Sequence, residues 1–119
     1  MKAASLSSLI ATGLLATLFT GEAMATQTTA TVHSIQVDAN GNFSLVLTGP
    51  LTLCSNGNQG NQRGAVVVGV RGVTADGAKA MYSAVLAAFM AGKHVTVHTD
   101  ETVTTTGWGC TVYALDISP

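Results

Sequence analysis

Residues 74–92 read TADGAKAMYSAVLAAFMAG, and the fold turns on them. Thr74 is a helix N-cap residue, Asp76 suits the positive end of the helix dipole in the first turn, and Gly92 is placed to end the helix in a left-handed conformation. The spacing predicts one helix with a body from Ala75 to Ala91. A helix that covers one end of a sheet needs an apolar stripe and a polar face. From Ala84 to Ala91 (AVLAAFMA) no polar residue falls on any face. Either the helix is deeply buried or its surface is simply rich in tolerated alanines, or its second side packs against a partner, most simply a copy of itself, with the alanines permitting close approach. Met81, Val85, Ala88 and Phe89 are the candidate residues for that interface.

The stretches around the helix carry strand signals. Residues 26–31 (TQTTAT) are a frayed terminus or the start of a strand that runs through Val32–Val37. Asp38-Ala39-Asn40-Gly41-Asn42 is a hairpin turn, because Asn-Gly tolerates the positive φ angles of a tight connection. Phe43–Thr48 alternates, with Phe43, Leu45 and Leu47 on one face. After Gly49-Pro50, Leu51–Cys54 reads as a short edge strand, and residues 55–64 form a polar loop. Ala65–Arg71 (AVVVGVR) is an apolar strand in which Gly69 marks a bulge or bend. Beyond the helix, Val95 and Val97 share one face while His94, Thr96 and His98 share the other. A Thr-rich loop containing Gly107-Trp108-Gly109 leads to a last strand, Cys110–Ile117.

The order is therefore β-β-β-α-β-β. A ferredoxin-like sandwich would need a second helix. The expected architecture is mainly β with one helix: a five-stranded OB-like Greek-key barrel with one disulfide.

The N-terminus reads as an address. Lys2 precedes an apolar run, Leu9–Phe19, and Ala23-Met24-Ala25 is a small-x-small cleavage site, so residues 1–25 form a signal peptide and residues 26–119 the single domain. The apolar run is too short for a bilayer, which takes roughly 20 residues. The mature chain thus has no membrane span and is periplasmic or secreted. Cys54 and Cys110, the two cysteines of the chain, would then meet an oxidising compartment and pair. That bridge is worth about 4 kcal/mol in the chain-entropy model.

Composition excludes some partners. Five basic residues against six acidic ones leave no cationic footprint for nucleic acid or an anionic membrane surface. No G-x-S-x-G, H-E-x-x-H, P-loop or G-x-G-x-x-G motif is present. His94 and His98 on a strand stand about 13 Å apart, too far to share a zinc. The acids of the mature chain each have a routine place in a turn, helix start or loop, and an Asp116–His pair would lack a nucleophile. No enzymatic activity, catalytic residue, metal or cofactor is expected. Trp108, flanked by glycines and near Thr102 and Thr104–Thr106, is the side chain best suited to stack on a sugar, although it could equally plug the end of the barrel beside Cys110.

Cys54, the helix with Tyr82, Leu86 and Phe89, the run Gly92-Lys93-His94-Val95-Thr96-Val97 and Cys110 together form a pattern. It resembles the binding (B) subunits of bacterial AB5 toxins, in the subtilase-cytotoxin and pertussis-like group. The resemblance implies an OB-fold subunit forming a ring of five, with helices lining a central pore. Such rings bind host glycans, often sialylated, and carry an enzymatic A subunit. A serine near the start of the first strand contacts sugar in that group; here Thr29, Thr31 and Ser34 are the candidates, beside Trp108. Two further readings stay open: a small exported OB-like protein that binds another protein or acts structurally, and an enzyme depending on His33, His94 or His98.

Overall fold

The computed structural model describes residues 25–49, 52–55 and 61–119. The predicted signal peptide lies outside the described residues, apart from Ala25. The elements are β1 (Ala25–Val37), β2 (Phe43–Leu47), β3 (Arg63–Val66), α1 (Ala75–Ala91), β4 (His94–Thr105) and β5 (Gly109–Ser118). The fold is mainly β with one helix. The five strands form a mixed sheet in the order β1-β2-β3-β5-β4, and pairing of β1 with β4 closes it into a ring. All pairs are antiparallel except β3 with β5.

Local chemistry explains the first turn and the helix. Asp38 Oδ1 accepts the backbone N–H groups of Asn40 and Asn42 at 2.9 and 3.1 Å, and Gly41 supplies a φ of 87°. The turn thereby fixes the β1–β2 register from Val37 opposite Phe43. Thr74 Oγ1 accepts the Gly77 N–H at 2.9 Å, a cap worth about 1 kcal/mol. Gly92 ends α1 with a φ of 66°, and the Lys93 N–H closes on the Ala88 carbonyl at 2.9 Å.

One side of α1 closes the ring of strands, packing on β1, β4 and β5. Val85 and Ala88, 0% and 1% exposed, join Phe43, Leu45, Val66, Val95, Val97 and Val112 in one core. Tyr82 meets Phe43 edge-on, ring centroids 5.5 Å apart. Cys54 and Cys110 form a disulfide within the same core, Cα atoms 5.6 Å apart.

Three expectations need correction. The third strand does not run over Ala65–Arg71. It spans Arg63–Val66, because the chain turns away through Gly69, Arg71 and Gly72 with φ values of 87°, 55° and 79°. Gly69 donates to the Val73 carbonyl at 2.7 Å instead of pairing in the sheet. Thr52–Cys54 is not a strand either, since Leu53 and Cys54 both donate to the single carbonyl of Asn61. Finally, Thr102–Thr105 is not a loop: β4 continues through it, with Thr104 opposite Cys110 and Thr105 opposite Gly109. The connection shrinks to Thr106–Trp108.

Candidate functional site: the outer face of β1, β4 and β5

Strand alternation sorts the side chains of β4. Val95, Val97 and Thr99 point into the ring at 0% exposure, which leaves His94, Thr96 and His98 outside. Register then builds three rows across the outer face. Thr31, His94 and Ser118 form one; Thr29, Thr96 and Asp116 the next; Gln27, His98 and Ala114 the third. Thr29 and Thr96 share a hydroxyl hydrogen bond at 2.8 Å. His98 Nε2 lies 3.4 Å from Asp116 Oδ2.

Beyond the third row the β4–β5 register skips one residue. His98 faces Ala114 and Thr99 faces Val112, so Tyr113 is the extra residue of a bulge. Its ring centroid lies 6.3 Å from that of His98. The Arg71 guanidinium sits over the same ring at 4.1 Å. Arg71 Nε donates to Asp100 Oδ2 at 2.9 Å. Asp116, His98, Tyr113, Arg71 and Asp100 thus form one continuous line of contacts on the outer surface.

Asp100 is well prepared to accept. The hydroxyl and backbone N–H of Thr102 both reach its Oδ1, and these bonds, followed by Arg71, hold its carboxyl below the usual aspartate range. The neighbouring Glu101 carboxyl is also lowered, by the backbone N–H and then the hydroxyl of Ser55. That contact ties the segment after Cys54 to β4.

Only part of the predicted sugar site comes together. Thr29 is exposed and Thr31 half-buried, both on this face; Thr31 Oγ1 also bonds Thr48 Oγ1. Ser34 lies past a β1 bulge that skips His33, opposite Val46, and so over β2 instead. Trp108 is half-buried in the β4–β5 turn, its backbone N–H donating to the Thr105 carbonyl. Thr96, the partner of Thr29, is nine residues from Thr105, about 30 Å of strand. Trp108 and the β1 threonines cannot contact one small ligand.

The interface candidates divide as well. Val85 and Ala88 belong to the core and present no area to a second chain, and Met81 packs half-buried against that core. Phe89 remains outside at 40% exposure, beside two residues outside the predicted set, Leu86 at 38% and Met90 at 77%. One helical face serves the core; the exposed side carries Asp76, Lys79 and Ser83 in its first half and Leu86, Phe89 and Met90 in its second.

A separate polar contact crosses β2. Arg63 of β3 donates to Gln36 of β1 at 3.1 Å, passing over the strand that carries Ser44 and Val46. Ser44 and Val46, on the strand between them, are buried.

Among the described residues, no pocket encloses the outer face of β1, β4 and β5, no three His, Cys, Asp or Glu side chains are arranged to hold a metal ion, and no helix is long and apolar enough to cross a membrane. The surface offers hydroxyl, imidazole and carboxylate groups within reach of one another, a set suited to exchanging hydrogen bonds with a polyhydroxylated ligand. No family model, curated protein or solved structure matches the chain.

Proposed function

We propose that the chain is an exported, non-enzymatic module that assembles with copies of itself into a ring and binds glycans, as the resemblance to toxin B subunits implies. The observation that carries this reading is the pair of unlike surfaces left uncovered on one small domain. The apolar side of α1, with Leu86, Phe89 and Met90, suits a second copy. The outer face of β1, β4 and β5, with Thr29, Thr96, His98 and Asp116, suits sugar hydroxyls. The strand order, the closure of β1 on β4 and the helix between β3 and β4 support reading the fold as an OB-like Greek-key barrel. An enzymatic A subunit is the further partner that the resemblance implies for such a ring.

A glycan screen on the oxidised mature chain, run beside the His98→Ala/Asp116→Ala double variant, tests the reading. Retention of one sugar class by the wild type and its loss in the folded variant support it. Equal retention by both, or none by either, counts against it.

A further inference from the structure

Resting on the glycan reading, we infer that the outer face of β1, β4 and β5 selects uncharged sugars and rejects acidic ones. The argument is one of charge. Four cations lie among the described residues: Arg63, Arg71, Lys79 and Lys93. Arg63 is bonded to Gln36 across β2. Lys79 belongs to α1, and Lys93 precedes β4 at the exposed end of that helix. Arg71 alone stands over β5, and it is committed twice, through Nε to Asp100 at 2.9 Å and with its guanidinium carbon over the Tyr113 ring at 4.1 Å.

Arg71 and Asp100 therefore sum to zero. His98 and Asp116 sum to zero or −1, whichever protonation state His98 takes. Among the described residues the face holds no Arg or Lys other than the committed Arg71; its remaining bases are His98 and, in the first row, His94, and a carboxylate approaching His98 meets Asp116, 76% exposed in its side chain. Neutral sugar hydroxyls fit the same groups. They donate to the Asp116 carboxylate, meet the Thr29–Thr96 hydroxyl pair in the same row, and exchange hydrogen bonds with His98 in the next.

The test titrates isotope-labelled, oxidised protein with lactose, N-acetyllactosamine and their sialylated forms, reading the backbone amide signals of Thr96, His98, Tyr113 and Asp116. The neutral sugars are expected to move these signals at concentrations at least tenfold lower than the sialylated ones. Asp116→Asn, which keeps the shape and removes the charge, is expected to narrow that gap. Sialylated sugars binding as well as or better than neutral ones would overturn the inference and leave glycan binding standing. No sugar of either kind moving these signals would overturn both.

Discussion

The guanidinium carbon of Arg71 lies 4.1 Å from the centre of the Tyr113 ring while Nε of the same side chain holds Asp100 at 2.9 Å. Arg71 makes these contacts from a left-handed backbone conformation, φ 55°, which is unfavourable for any residue but glycine. The loop after β3 is thus pinned onto β4 and β5 by one side chain. An exposed ion pair is worth about 0–1 kcal/mol and an exposed cation–π contact about 0.5–1 kcal/mol. Arg71→Ala is expected to lose about 1 kcal/mol in urea unfolding. Arg71→Gly loses the same contacts but relieves about 1 kcal/mol of backbone cost, and should fall near wild type. Equal losses in the two variants would show that the backbone conformation carries no cost.

Acid should weaken the fold through Asp100 and Glu101. Both carboxyls are lowered in the folded chain, Asp100 mainly by Thr102 and Glu101 by Ser55. Their contribution is therefore complete above the unfolded carboxylate values, near pH 4 to 4.5, and is lost as pH falls through the lower folded values. Urea midpoints measured from pH 7 downward should begin to drop in that range. The drop should be smaller in an Asp100→Asn/Glu101→Gln variant, and an unchanged slope would refute the assignment.

Gly64 is required for space, not for its backbone angles. A Cβ there would lie 2.8 Å from Val112 Cγ2 and 3.1 Å from Leu53 Cδ2, in the fully packed core. Gly64→Ala is expected to cost about 1–3 kcal/mol by overpacking, with the disulfide still formed. Gly41→Ala has open space around it but a φ of 87°, so its cost should come from strain alone and be about 1 kcal/mol. Thermal unfolding of the two variants separates these causes.

Removing the buried Cys54–Cys110 bridge should cost more than either glycine change. Cys54→Ser/Cys110→Ser is expected to lose about 4 kcal/mol, and dithiothreitol should lower the melting temperature of the wild type while leaving that of the variant unchanged.

How much of this was legible in the sequence depended on whether the cause was local. α1 begins and ends where Thr74 and Gly92 place it, because caps act within one turn. The Asp38–Asn42 turn was legible for the same reason. Strand limits were not. Val67 and Val68 extend an apolar run beyond β3, yet Gly69, Arg71 and Gly72 bend the chain away; the two glycines bracketing Val70-Arg71 were the available signal. Thr102–Thr105 has loop composition and becomes strand only because β5 pairs with it. The line Asp116–His98–Tyr113–Arg71–Asp100 was invisible for a deeper reason. It needs the bulge at Tyr113 and the left-handed Arg71, two irregularities that bring together residues 42 positions apart, from 71 to 113. Hydrophobic pattern showed that the second half of α1, Ala84–Ala91, lacked a polar residue, but not which apolar residues the core would take.

The most direct measurement is the absolute mass of residues 26–119, oxidised, at micromolar concentration, by light scattering during gel filtration, compared with Phe89→Asp/Met90→Asp. Both residues are exposed in the single chain, so the variant should keep its fold. The account predicts a closed oligomer for the wild type, of five copies if the resemblance to toxin B subunits holds, and a monomer for the variant. A wild type that runs as a monomer would contradict it.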